Sequence, residues 1–343
     1  MSPNASTTPT TSLPLIDLAN FTNSSRESRL KTAKQLVSAC RTTGFVYIVN
    51  HGVPKHELDR AFAISSKFFA LPQEEKMKAP HPPGWSIHRG YSWPGFEKVS
   101  NATSSTDDEA AVQKLREVQD VKESYEVGSE LNPEMPNIWP PEEVLPEWRP
   151  FMSKFYWTCF ETAKTVLRAL ALGIGLEEDT LVKLHSGHYN QLRLLNYPAI
   201  PAQVLEEGTC ERMPAHTDWS TMTMLWQDDC GGLQVEDPNH VGRFIDVEPV
   251  EGALVMNIGD LMMRWSNDVL RSTMHRVTLP PLQDRIKGER RITRPRKSIV
   301  YFLATDPDRL IEVMSSCVDE NRPAKYEPIT QRDYASMRAR MQY

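Results

Sequence analysis

The chain has no excess of positive charge, no cysteine pairing pattern and no long apolar run, and each absence removes a class of function. Its formal net charge is -6 over 343 residues, so the basic footprint of a nucleic-acid binder is missing. No hydrophobic stretch approaches the ~20 residues that span a bilayer. The five cysteines, Cys40, Cys159, Cys210, Cys230 and Cys317, are scattered and odd in number, with no C-x-x-C spacing. They read as reduced thiols rather than a disulfide framework. Common catalytic signatures are absent too: there is no G-x-S-x-G elbow, Walker loop or H-E-x-x-H, and Gly173-Ile-Gly175 lacks the third glycine of a dinucleotide fingerprint. Residues 1–12 are rich in Ser, Thr, Pro and Asn, with neither a basic start nor an apolar core. That stretch reads as a disordered lead-in, not a targeting peptide, and the expected location is cytoplasmic. What remains is an ordinary globular composition, 40% hydrophobic and 24% charged. It points to a small-molecule substrate, with no nucleic acid and no membrane, and leaves the oligomeric state open.

The texture changes near residue 175. Before it, helical spacing over 26–42 (Leu30, Ala33, Leu36, Val37, Cys40), a second amphipathic stretch from Pro54 to Leu71 and a long one from Trp148 to Ile174 predict helices. Leu13–Leu18, Gly44–Asn50 and Glu123–Val127 read as strands, and the pattern dissolves from Ala79 to about Asp120 into a Pro- and aromatic-rich stretch. After Leu176 come many short strands separated by turn signals: 191–197, 221–227, 233–236, 243–247, 253–257, 272–279 and 298–303. Such spacing predicts a sandwich or barrel. The expected architecture is therefore mainly β with flanking helices, a helical N-terminal region (13–175) packing on a jelly-roll core (176–310), with a helical segment over 311–343.

His216-Thr-Asp218, followed by His275, supplies two imidazoles and one carboxylate. Side chains two apart on a strand share a face, so His216 and Asp218 can chelate one ion from one strand. Two neutral imidazoles and a carboxylate with coordination positions left open are the facial set of non-haem Fe(II) oxygenases. The other histidines lack a carboxylate placed beside them. His51, His56, His81, His88, His185, His188 and His240 are expected at the surface.

Arg296-Lys-Ser298 opens the apolar run to Leu303, with Arg296 and Ser298 on one face. A guanidinium beside a hydroxyl suits a carboxylate gripped by paired hydrogen bonds. Charge accounting agrees: Fe(II) with one Asp is +1, a dicarboxylate brings -2, and one arginine restores neutrality. Arg193 and Tyr197 share a face of the strand 191–197, where Arg193 serves either the ligand or a structural ion pair.

These motifs, taken with Leu13-Pro-Leu-Ile-Asp17, Gly44-Phe-Val-Tyr-Ile, Asn50-His-Gly-Val-Pro54, Asn196-Tyr-Pro198, Gly231-Gly-Leu-Gln-Val235, Asn257-Ile-Gly-Asp260, Trp265-Ser-Asn267 and His275-Arg-Val277, resemble the Fe(II)- and 2-oxoglutarate-dependent oxygenases of the isopenicillin-N-synthase-like family over nearly the whole chain. Arg89-Gly-Tyr91, Lys122-Glu-Ser-Tyr-Glu126 and Arg264-Trp-Ser-Asn-Asp268 look most like the fungal thymine 7-hydroxylase group, which includes natural-product oxygenases. The resemblance implies a double-stranded β-helix (distorted jelly roll), iron on His216, Asp218 and His275, and the 2-oxoglutarate distal carboxylate on Arg296 and Ser298 with Tyr197 nearby. O2 is the third reactant. Substrate contacts are expected from Arg193, Trp219, Met222 and Phe302, with Tyr91 or Trp93 from the aromatic stretch. Trp219 and Phe96 depart from that group's residues and predict a flatter, less polar pocket. The reading is oxidation of a C–H bond in a small aromatic or polyketide-like metabolite of fungal-type secondary metabolism, by hydroxylation with rearrangement or ring expansion as further outcomes. Pyrimidine methyl hydroxylation is the alternative within the class. A non-catalytic jelly-roll binding module and a zinc hydrolase are the alternatives outside it, and the hydrolase leaves Arg296 and Ser298 without a task.

Overall fold

A computed structural model describes residues 12–84, 87–96, 119–208, 210–280, 286–288 and 291–342. The rest of the expected lead-in, the polar stretch 101–108 and parts of the connection 280–295 fall outside them. Five helices frame the fold: α1 (Arg26–Thr42), α2 (Lys55–Phe69), α3 (Trp148–Gly173), α4 (Asp260–Trp265) and α5 (Gln331–Gln342). Ser25 caps α1 by accepting from the Ser28 N–H, which satisfies one orphan donor of the first turn. Its apolar stripe (Ala33, Leu36, Val37, Cys40) is buried. A Cβ at Gly173, the last residue of α3, would sit 2.5 Å from the Ala33 carbonyl oxygen, so glycine permits the close approach of α1 and α3.

The strands that matter here are β1 (Leu15–Asp17), β2 (Phe45–Val49), β3 (Gly90–Ser92), β4 (Glu123–Val127), β5 (Gln191–Tyr197), β6 (Met213–His216), β7 (Met222–Gln227), β8 (Leu233–Glu236), β9 (Phe244–Asp246), β10 (Leu254–Ile258), β11 (His275–Val277) and β12 (Arg296–Leu303). An eight-stranded sheet runs β1-β2-β10-β7-β12-β5-β4-β3, and a four-stranded sheet runs β9-β8-β11-β6. Apart from the parallel β1–β2 pair, the pairings in both sheets are antiparallel. The N-terminal region thus supplies both edges of the large sheet while its helices cover one face. Two sheets face to face make a jelly roll, as the strand spacing suggested, and the double-stranded β-helix that the family resemblance implies.

Alternation sorts the large sheet into two faces. Tyr91, Tyr125, Leu194, Ile299 and Trp226 lie in register across five strands and belong to the cluster that packs against α1, α2 and α3. The next row, Glu126, Arg193, Val300, Leu225, Val255 and Tyr47, points the other way, and its apolar members pack toward the small sheet. Register therefore decides which side chains reach the space between the sheets.

Three histidines expected at the surface are buried: His51, His81 and His185. His185 bonds through Nδ1 to the Leu181 carbonyl (2.7 Å) and through Nε2 to Thr221 Oγ1 (3.0 Å). His51 packs edge-on against Trp226. Burial pushes both imidazoles down to about 4. A neutral ring with local backbone partners is a satisfied core residue, which spacing alone does not reveal. His56 and His240 are exposed. No helix among the described residues is long and apolar enough to cross a membrane.

Candidate active site

β6 and β11 are neighbours, with His216 and His275 as direct Cα partners. Their rings come within 4.3 Å between centroids. Asp218 lies past the end of β6, so the same-strand chelate expected from the i, i+2 spacing becomes a strand-plus-turn arrangement. The Asp218 Oδ1 atom is 3.7 Å from His216 Nε2 and 3.6 Å from His275 Nε2, and the donor atoms all lie within 4.8 Å of one another.

Each donor is aimed by a partner behind it. The Nδ1–H of His216 donates to the Pro214 carbonyl (2.8 Å) and that of His275 to the Thr273 carbonyl (3.2 Å). Those bonds leave the Nε2 lone pairs facing Asp218. Asp218 Oδ2 accepts from Thr223 Oγ1 and Asn257 Nδ2, both at 2.7 Å, and Oδ1 remains for a metal. Burial works against the Asp218 charge, but the neighbouring imidazoles and these two hydrogen bonds outweigh it and hold the carboxyl below its usual range. Burial, then the His275 ring, drives His216 down to about 3. Two imidazoles and one carboxylate, converging and backed by hydrogen bonds, fit a divalent iron ion.

Arg296 is 0% exposed. Its described partners are neutral: Ser298 Oγ (3.3 Å), Gln227 Oε1 (3.0 Å) and the Tyr197 ring (5.1 Å to the centroid). Its Nε–H has no hydrogen-bond acceptor. A buried guanidinium without a carboxylate calls for an anionic ligand. Arg212, which the sequence did not single out, is a second fully buried guanidinium, bonded to Thr293 Oγ1 (3.1 Å) and the Arg294 carbonyl (2.8 Å). Burial lowers its pKa first, and the charge of Arg296 lowers it further. The residues around it carry no motif, so nothing in the sequence marked it.

Between the sheets, one cavity joins the two groups, lined by His216, Asp218, His275, Arg296, Ser298 and Tyr197. Phe45, Leu225, Val255, Val300 and Phe302 form an apolar wall. Arg193 lines it as well and is ion-paired to Glu126 (3.1 Å). The described lining does not include the other expected substrate contacts. Met222 alternates to the helical face, where it is fully buried, and Thr223 takes its place in the cavity. Tyr91 is on that same far face, its hydroxyl donating to Glu123 (2.6 Å). Trp93 packs against the helical core and on Phe96 (4.4 Å). Trp219 lies on that core too, under the Arg338 guanidinium.

Comparison with known proteins follows this chemistry. Residues 13–142 match the family "non-haem dioxygenase in morphine synthesis N-terminal" and residues 189–305 match the 2OG-Fe(II) oxygenase superfamily. The chain belongs to the 2OG-Fe(II) oxygenase superfamily. A 2-oxoglutarate-Fe(II) type oxidoreductase, ppzD, of Metarhizium rileyi is 36% identical over 95% of this chain and 90% of its own length. The proline hydroxylase buaE of Petromyces alliaceus is 35% identical over 96% and 98%. Among solved structures, Neurospora crassa T7H in complex with alpha-KG and thymine superposes with a TM-score of 0.84 at 37% identity, covering 96% of each chain. The oxygenase is thus a 2-oxoglutarate-dependent non-haem iron dioxygenase that uses Fe(II), 2-oxoglutarate and O2.

Proposed function

We propose that this oxygenase oxidises a C–H bond of a small aromatic or polyketide-like metabolite, with His216, Asp218 and His275 holding the iron and Arg296 and Ser298 the distal carboxylate of 2-oxoglutarate. The observation that carries the site is the pairing of three convergent donors with a buried guanidinium in one cavity. Bound iron supplies the oxidising power, coupled to decarboxylation of 2-oxoglutarate to succinate. The chain's own residues orient and exclude. Thr223 and Asn257 fix the ligating carboxylate. Arg296 sets the co-substrate's direction. The apolar wall keeps water from the reacting face. Outside the metal and anion groups, Arg193 is the charged residue of the described lining, which supports a largely apolar substrate with few polar groups to match.

The T7H resemblance favours a second reading, methyl hydroxylation of a pyrimidine. Both are tested by incubating the purified oxygenase with Fe(II), 2-oxoglutarate and O2 against thymine and a panel of aromatic and polyketide compounds. Succinate and product are counted together. One-to-one succinate and oxidised aromatic product support the first reading. The same stoichiometry with thymine alone transfers the assignment to the second.

A further inference from the structure

The iron-ligating turn is held by a segment more than a hundred residues downstream. Thr217, between two metal donors, gives its hydroxyl hydrogen to Asp260 Oδ2 (2.9 Å). Asp260 opens α4, and its own backbone N–H donates to the Asp218 carbonyl (2.7 Å). Gly259, just before it, presses so closely on the turn that a Cβ would overlap the Ser220 carbonyl. Onto this pair comes Arg338 of the last helix, α5. Its Nη1 lies 2.9 Å from Asp260 Oδ2, its Nη2 reaches Thr217 Oγ1 (3.5 Å), and its Cζ stands 5.6 Å from the Trp219 ring centre. Arg338 and Asp260 side chains are 12% and 7% exposed.

We infer that Arg338 is a positioning residue for the metal centre, and that α5 acts as a clasp on the turn His216–Trp219. Docking the helix would need no such contacts. Arg332, on the same helix, already ties it to Glu134 (2.8 Å) and Asp308 (3.4 Å) through exposed pairs. The Arg332–Glu134 pair is a two-bond fork (2.8 and 2.9 Å), the geometry in which an exposed pair still contributes to stability. Arg338 instead converges on the carboxylate, hydroxyl and ring that surround the ligating turn, the place where partners behind a metal ligand set affinity. The inference rests on His216 and Asp218 being metal ligands.

The test is anaerobic titration of the metal-free full chain with Mn(II) and Fe(II), with the thermal midpoint measured beside it. Arg338→Ala should weaken metal binding by about tenfold to a hundredfold. Arg338→Lys, which keeps the ion pair to Asp260 and loses the second arm, should fall between that variant and the wild type. Arg332→Ala should lower the midpoint while leaving metal affinity as it was. Thr217→Val, which removes the hydroxyl link alone, should weaken binding severalfold and covers the case in which Arg338→Ala does not fold. Wild-type affinity in Arg338→Ala, or in Thr217→Val where the former does not fold, overturns the clasp. An equal loss in Arg332→Ala also overturns it, because α5 would then act through general docking. A wild type that binds no metal overturns the site reading itself, a result separable from the others because it appears before any substitution.

Discussion

Replacing Arg296 by Met should move stability and ligand binding in opposite directions. The guanidinium is fully buried among neutral partners, with its Nε–H unsatisfied. Without co-substrate, removing such a charge for an apolar side chain of similar length is neutral or stabilising. With 2-oxoglutarate, the same change removes one half of a buried, hydrogen-bonded ion pair. That costs about 3–5 kcal/mol, and at about 1.4 kcal/mol per decade the dissociation constant rises by roughly a hundredfold to a few thousandfold. In thermal unfolding of the Mn(II)-loaded protein, 2-oxoglutarate at ~100 times its dissociation constant adds about 2.7 kcal/mol to the wild type. At ~2 °C per kcal/mol for a chain of this size, that is a rise of about 5 °C. Arg296→Met should start at or above the wild-type midpoint and show no rise. A full ligand-induced rise in the variant, or a collapse of its midpoint without ligand, refutes the assignment of Arg296 to the anion site.

Sheet parity gives a paired prediction at neighbouring positions. Met222→Ala should lower stability by about 2–5 kcal/mol in a denaturant titration with metal affinity kept, whereas Thr223→Val should keep stability within about 1 kcal/mol and weaken metal binding. Protonation supplies another. His51 and His185 sit at about 4 in the fold, below their unfolded value of about 6.5. The unfolded chain takes up the protons first, so their stability is complete above about pH 6.5 and is lost as pH falls toward 4. The loss is up to about 3 kcal/mol each. Stability of His185→Gln against pH should be flatter over that window, and an unchanged slope contradicts the buried neutral ring. Gly259→Ala should abolish metal binding by displacing the Ser220 carbonyl, as read by Mn(II) titration.

Much of this was legible in the residues because long periodic segments and dense motifs carry strong signals. α1 spans 26–42 as its spacing predicts, and β4, β5 and β8 fall on the residues their alternation marks. A strand through His216 was expected from the metal spacing, but its start at Met213 was not, because Pro214 interrupts the pattern. β3 was missed because its residues lie in an aromatic stretch without alternation. Asp218 left its strand since β6 ends at His216, which adjacency in sequence does not show. Successive strand residues face opposite ways, so Met222 lies on the helical core while Thr223 lines the cavity with Arg193 and Phe302. Tyr91, expected from an irregular stretch, lies in β3 on the helical face. Partners brought from far along the chain, such as Arg338 on Asp260 and Arg212 beside the anion group, carry no local pattern at all.

The most direct measurement is the visible spectrum of the anaerobic protein with Fe(II) and 2-oxoglutarate, recorded for the wild type, His216→Ala and Arg296→Met. A weak charge-transfer band is expected in the wild type. It should be absent in His216→Ala and recovered in Arg296→Met only at far higher 2-oxoglutarate. No band in the wild type, or an undiminished one in His216→Ala, would contradict the assignment of iron and co-substrate to this cavity.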